Sequence, residues 1–201
     1  MNKLQVIYIH GGEGWSTYEE YLTYLKTTDV IVDPRGEAPK RWSKTLSERL
    51  GDDFQVLSIQ MPSKQNAKYN EWKIWFERHF QFFDNEVVLI GHSLGANFLA
   101  KYLSENTFPR RILSLHLVAG CFGEPGWFEL PKDLSNIEKQ TKDIVIYHSH
   151  DDDVVPFSAA GKYKVSLPSA KVVEFSDRGH FLGEEFPELV QNVTNYEKDN
   201  I

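Results

Sequence analysis

The stretch Val87-Val88-Leu89-Ile90-Gly91-His92-Ser93-Leu94-Gly95-Ala96-Asn97-Phe98-Leu99 decides how the rest of the chain is read. Val87 to Ile90 are four apolar residues, three of them β-branched, which is the composition of a buried strand. Gly91-His92-Ser93-Leu94-Gly95 follows at once and fits G-x-S-x-G. Ala96 to Tyr102 then reads as a helix, with Phe98 and Tyr102 four apart on one face. A strand, a sharp turn and a helix in direct succession are the setting in which this motif lifts a serine nucleophile above a sheet. A Cβ at Gly91 or Gly95 would press on the strand or the helix. The Leu94 N–H, at the helix N-terminus, would face any oxyanion formed beside the Ser93 hydroxyl.

On either side of this stretch, apolar strands alternate with amphipathic helices. Leu4 to Ile9 is a strand ending in the loop His10-Gly11-Gly12-Glu13-Gly14. Trp15 to Lys26 reads as helix, with Tyr18, Tyr21, Leu22 and Leu25 at helical spacing. The segment 29–39 is broken by Pro34, Gly36 and Pro39, so residues 15–40 form an excursion, either a lid over a site or surface decoration. Arg41 to Leu50 is a helix stopped by Gly51, and Phe54 to Ile59 a strand. Met61-Pro62-Ser63 opens a polar loop, and Tyr69 to Phe83 is a helix with an aromatic face that includes Trp72, Phe76 and Phe80. Ile112 to Ala119 and Ile144 to Tyr147 are strands, Phe157 to Val165 a helix, and Lys171 to Phe175 a strand. Pro187 opens a last helix with Leu189, Val190 and Val193 inward. This alternation predicts an α/β fold, one domain over residues 1–201, with a mostly parallel sheet and helices on both faces.

Composition narrows the function. The chain has 201 residues with 41% hydrophobic side chains, enough for a sizeable core. A net charge of −7 argues against nucleic acid as the main partner, since phosphate binding needs a basic surface. No apolar run reaches the length of a membrane span. Met1-Asn2-Lys3 leads straight into a strand without a signal-peptide pattern, and Cys121 is the only cysteine, so a cytoplasmic location is expected. No phosphate loop or dinucleotide fingerprint is present, and no cofactor is expected. Oligomeric state is unread, with a monomer as the default.

A serine hydroxyl needs a base, and the base needs an orienting group. Both residue types stand at strand ends. His148-Ser149-His150-Asp151-Asp152-Asp153-Val154-Val155-Pro156 follows one strand, and Ser176-Asp177-Arg178-Gly179-His180-Phe181 follows the next. Serine, then aspartate, then histidine is the chain order of the α/β-hydrolases. His148-x-His150-x-Asp152 also fits H-x-H-x-D of metallo-hydrolases, but Asp153 stands where that motif needs histidine, and no metal is expected.

D-x-x-V-P at Asp152 to Pro156 and G-H-F at Gly179 to Phe181 look like the acid and base motifs of α/β-hydrolases. With the first glycine loop, the Met-Pro segment before a Trp-rich helix, and G-H-S-x-G, nearly the whole chain resembles the small serine hydrolases related to retinoblastoma-binding protein 9. The match is weakest in residues 15–40 and 121–141. The resemblance implies an α/β-hydrolase fold with a compact sheet of about six strands. It implies Ser93 as nucleophile, Asp152 as acid and His180 as base, with Asp151 and Asp153 pointing elsewhere or to solvent. Leu94 and Gly12 are the expected oxyanion-hole donors. His10, Phe122, Trp127 and Phe128 are candidate walls of a pocket for a small acyl substrate. The other readings are a protein-interaction module on the same fold, though no L-x-C-x-E motif is present, and an acyltransferase using the same three residues.

Overall fold

The computed structural model describes residues 3–30, 40–123 and 126–198. Among these residues, six strands form one sheet: β1 (Leu4–Ile9), β2 (Phe54–Ile59), β3 (Glu86–His92), β4 (Arg111–Val118), β5 (Ile144–Ser149) and β6 (Lys171–Phe175). Every pairing is parallel, in the order β2-β1-β3-β4-β5-β6. Among the described residues, seven helices connect and flank them: α1 (Tyr18–Thr27), α2 (Trp42–Leu50), α3 (Tyr69–Arg78), α4 (Leu94–Glu105), α5 (Ser135–Gln140), α6 (Ser158–Ser166) and α7 (Pro187–Lys198).

Alternate side chains of each strand serve opposite cores, as strand geometry requires. Ile7, Ile9, Leu89, Leu115, Leu117 and Ile146 face one core, closed by Trp72 and Phe76 of α3, Phe98 of α4, Ile137 of α5 and Tyr163 of α6. Val6, Tyr8, Val88, Ile90, Val145 and Tyr147 face the other, closed by Trp42 and Leu46 of α2 and by Leu189 and Val193 of α7. The strands are therefore apolar on both faces, which is why they read in sequence as short continuous hydrophobic runs.

Two segments depart from expectation. The helix expected over Tyr69 to Phe83 ends at Arg78, and a 3-10 turn takes Phe80–Phe82. The reason is distant in sequence. Arg110 donates to the carbonyls of Phe80 and Phe83 at 3.0 Å each, which holds the chain in the tighter turn. The second is α1. It is well capped, with Thr17 and Glu20 forming a reciprocal capping box, yet it buries no residue. It is tied through Trp15, which packs on Tyr24 at 4.7 Å and donates to the Gln65 carbonyl. The proline-broken part of the excursion, residues 31–39, lies outside the described residues.

The strand order reverses between β1 and β3, since the chain leaves β1 toward one edge and β3 toward the other. The crevice beyond the carboxyl ends of these two strands is where open parallel sheets hold ligands. Two glycines allow α4 to begin there. A Cβ on Gly91 would lie 2.6 Å from the backbone of Ala96, and one on Gly95 would lie 2.3 Å from the Ile9 carbonyl oxygen.

Within the sheet's second core runs a buried polar chain. The His116 ring bridges the Ser114 hydroxyl and the Tyr147 hydroxyl at 3.0 Å each, and Asn192 donates to the same Tyr147 oxygen. Burial pushes the His116 imidazole down from 6.5 to about 3, so the folded protein holds it neutral.

Two outcomes are expected. Gly95→Ala forces β1 and α4 apart and lowers stability by about 1–3 kcal/mol, read as a fall in thermal midpoint of roughly 2–4 °C per kcal/mol. His116 should also make stability depend on pH. Between pH 6.5 and 3 its unfolded form binds a proton that the folded form refuses, so stability falls as pH falls across that window. Urea unfolding of His116→Gln should show a pH slope shallower by up to about 1.4 kcal/mol per pH unit. An unchanged slope would mean that His116 is protonated in the fold.

Candidate active site

Ser93 occupies the turn between β3 and α4 with φ 57° and ψ −124°. This is a left-handed conformation that a side chain disfavours, and such strain costs about 1–3 kcal/mol. Its N–H bonds to the Val118 carbonyl, and its carbonyl accepts from Ala96 and Asn97, so neighbouring strand and helix hold it there. Gly11 backs directly onto it: a Cβ on Gly11 would stand 3.0 Å from the Ser93 Cβ.

The Ser93 Oγ lies 2.8 Å from His180 Nε2. On the other side of the ring, His180 Nδ1 lies 2.9 Å and 3.1 Å from the two carboxylate oxygens of Asp152. A carboxylate only accepts, so Nδ1 carries the proton and Nε2 is left to accept from the serine. The structure thus brings together three residues that are 59 and 28 positions apart along the chain. Ser93 and His180 are nearly buried, 5% and 8% exposed.

Burial of Asp152 raises its carboxyl, but the hydrogen bond from His180 and those from the Val155 and Val154 N–H groups outweigh it. Its pKa is lowered on balance, so it stays ionised beside the imidazole. The two valines explain the motif. They present backbone donors to Asp152, and Val155 is fully buried.

Four contacts that no sequence pattern discloses hold His180 and its loop. His92 donates from Nε2 to the His180 carbonyl at 2.9 Å. Burial, then the neighbouring His180, pushes the His92 imidazole down to about 3, so it stays neutral and leaves the Ser93 hydroxyl to His180. Trp42 donates to the Phe181 carbonyl at 2.8 Å. Ser149 accepts from the Arg178 N–H at 3.1 Å, and Asp151 accepts from the Gly179 N–H at 2.9 Å while Ser149 donates to it. Asp151 therefore does not simply face solvent. It lashes the loop after β5, which carries Asp152, to the loop after β6, which carries His180. Asp153 is exposed.

The remaining candidates separate clearly. Gly12 lies under the Lys64 carbonyl, 2.6 Å from where a Cβ would sit, and Leu94 is the first residue of α4. His10 donates from Nδ1 to the Gly11 carbonyl and accepts from the Met61 N–H, supporting the glycine loop while lining the cleft. That cleft, about 610 Å³, also includes Gly12, Ser93, Trp127 and His180 in its walls. Phe122 and Phe128 are not among its lining residues. Phe128 packs on Trp72 and Phe98 in the core, its backbone gripped on both sides by the buried Asn97 amide. Phe122 packs edge-on against Tyr163. Their aromatic character reflects packing. Asn97, a lone amide in an apolar helix, was the visible signal for that grip. Among residues 15–30, none lines the cleft.

His148 and His150 do not converge. His148 is buried and donates to the Val155 carbonyl. His150 stacks on Phe157 at 3.6 Å and approaches Glu174. Among the described residues, no group of three His, Cys, Asp or Glu side chains is placed to hold a metal ion.

The Serine hydrolase family matches residues 31–189. The chain belongs to that family. This serine hydrolase is 29% identical over 144 residues to serine hydrolase RBBP9 of Rattus norvegicus, covering 70% of this chain and 76% of that protein. It is 22% identical over 183 residues to the putative hydrolase YdeN of Bacillus subtilis, covering 85% and 96%. The crystal structure of the YdeN protein superposes with a TM-score of 0.74 at 21% identity, covering 98% of this chain and all of that one. An α/β serine hydrolase without a lid from Xanthomonas campestris superposes with a TM-score of 0.61 at 14% identity, covering 98% and 84%. The present serine hydrolase has the α/β-hydrolase fold, with every strand of its sheet parallel.

The lash between the two loops has a measurable consequence. Asp151→Ala should lower the kcat of hydrolysis severalfold while the circular dichroism spectrum stays that of the folded protein. Ser149→Ala should act in the same direction. Unchanged kcat in both variants would show that the loops keep their register without the lash.

Proposed function

We propose that this serine hydrolase cleaves carboxylic esters, thioesters or amides of small acyl groups through an acyl-enzyme. The observation that carries the reading is the continuous hydrogen-bonded line Ser93–His180–Asp152, with distances of 2.8 Å and 2.9 Å, beside a cleft that Ser93 and His180 line.

In this reading Ser93 Oγ attacks the substrate carbonyl carbon as His180 Nε2 takes its proton. The carbonyl oxygen becomes an oxyanion between the N–H groups of Leu94 and Gly12. Leu94 stands at the first turn of α4, where N–H groups have no acceptor within the helix. One donor of this kind is worth about 2.7–4 kcal/mol in the transition state. The imidazolium then gives its proton to the departing alkoxide, thiolate or amine, leaving the acyl group on Ser93. Water attacks the acyl-enzyme, His180 takes a proton from it, and Ser93 leaves with that proton as the acid is released. Asp152 keeps the imidazole in the tautomer that can accept from serine and stabilises the charged ring. The buried setting of Ser93 strengthens each of these electrostatic contributions.

The site sits within one continuous sheet and its flanking helices, which supports a single domain with no partner chain required for the chemistry. No helix among the described residues is long and apolar enough to cross a membrane. With a single buried cysteine, the cytoplasm is the compartment this reading favours.

Labelling with a neutral fluorophosphonate, followed by intact mass, tests the reading. One adduct is expected on the wild type and none on Ser93→Ala. Turnover of para-nitrophenyl esters should fall by roughly 10⁴-fold or more in Ser93→Ala and His180→Ala, as when a member of such a triad is removed. Equal labelling of wild type and Ser93→Ala would sink the assignment.

A further inference from the structure

The chain is acidic, with 29 carboxylate side chains against 22 lysines and arginines. The cleft at Ser93 has the opposite balance. Arg41, Lys44 and Lys64 line it, and Glu13 is the one carboxylate that does so among the described residues. A scatter of solubilising charge would follow the acidic bias of the whole surface, and this set reverses it.

The three cations are placed by backbone that is itself fixed. Trp42, next to Arg41, donates from its ring to the Phe181 carbonyl and from its backbone to the Gly183 carbonyl. Arg41 is thereby held beside the loop carrying His180. Lys44 is three residues further on, on the same side of the first turn of α2, and its N–H bonds to the Arg41 carbonyl. Lys64 comes from the loop between β2 and α3. Its carbonyl accepts the Glu13 N–H at 2.7 Å and lies over Gly12. Their charge reaches into the site: Lys64 and Lys44 both oppose protonation of His10, after burial, and Arg41 opposes protonation of His92. Among the described residues none of the three forms a salt bridge, whereas the neighbouring Lys40 pairs with Glu184 and Arg49 with Glu185.

We infer that the substrate of this site carries a negative charge, a carboxylate or phosphate away from the scissile carbonyl, which Arg41, Lys44 and Lys64 receive. This inference rests on the serine hydrolase reading and adds a substrate class to it. The cations steer an anionic acyl compound into the cleft and select against its neutral counterpart. Each partly exposed charge pair is worth about 1.4- to 5-fold in binding, so the three together give a preference of about tenfold.

Two pairs of probes separate the possibilities. Mono-para-nitrophenyl adipate against para-nitrophenyl hexanoate places the charge on the acyl side. para-Acetoxybenzoate against phenyl acetate places it on the leaving group. For each pair the ratio of kcat/KM, anionic to neutral, is compared between wild type and Arg41→Gln/Lys44→Gln/Lys64→Gln. A ratio about tenfold lower in the variant, in either pair, supports the inference and tells which side of the scissile bond the cations read. The wild-type ratio should also shrink as salt rises from about 0.01 M to about 0.15 M, over which the screening length falls from about 30 Å to about 8 Å. Neutral fluorophosphonate labelling checks that the variant's site is assembled. Should the triple variant fail to fold, Lys44→Gln and Lys64→Gln singly, with the salt series on wild type, decide the same question. Labelled wild type with ratios that neither salt nor substitution changes would overturn the charge preference and leave the hydrolase reading standing. A wild type that is neither labelled nor active on any of the four esters would overturn both.

Discussion

Helix α4 can follow β3 within a single turn because Gly91 and Gly95 carry no side chain. At Gly95 the helix backbone comes so close to the end of β1 that a Cβ would lie 2.3 Å from the Ile9 carbonyl oxygen. This approach does two things at once. It forces Ser93 into the left-handed conformation that raises its hydroxyl, and it brings the loop after β1, with Gly11 and Gly12, alongside that hydroxyl. The Ser93 N–H donates to β4 and its carbonyl accepts from α4, which holds the strained residue in place between the cores on both sheet faces. A serine presented this way costs stability locally, and the burial of the whole α/β sandwich offsets it.

The other half of the site depends on loops. Asp152 and His180 leave the ends of β5 and β6, adjacent parallel strands, so the sheet sets their separation to first order. The finer placement comes from polar contacts between the two loops and from α2. Ser149 and Asp151 bind the N–H groups of Arg178 and Gly179, His92 and Trp42 bind the carbonyls of His180 and Phe181, and the Val154 and Val155 N–H groups hold Asp152. The backbone on both sides of His180 is thus anchored, and a ring held at both ends loses little further freedom when a substrate arrives.

Electrostatics within the cleft divide the labour among histidines. His92 and His116 are both held neutral by burial, at about 3, and each commits its ring to fixed hydrogen bonds. His10 is also lowered, chiefly by burial, and supports the glycine loop. His180 alone among them stands between a serine and an ionised carboxylate. Around this centre the described residues that line the cleft include three cations and one carboxylate, on a protein that is acidic as a whole.

The strands, the strand-turn-helix at Ser93 and the alternation of elements were determined by the sequence alone, because hydrophobic period and glycine placement are local properties. The candidates for the proposed chemistry were legible there too: Ser93, the aspartates after β5, and His180. Motif resemblance picked Asp152 out of three neighbours; in the fold it is the aspartate beside His180, and the N–H groups of Val154 and Val155 turn onto its carboxylate. Only the tertiary structure decided the rest. Aromatic residues look alike in sequence whether they fill a core or line a cleft, so Phe128 and Trp127, adjacent in the chain, had to be separated by packing. The early end of α3 was set by Arg110, 30 residues from Phe80, and no local signal reports that. The lash at Asp151 and the three cations at the cleft come from loops far apart in the chain. Such groups meet because the sheet brings strand ends together, and proximity across a sheet has no period in the sequence.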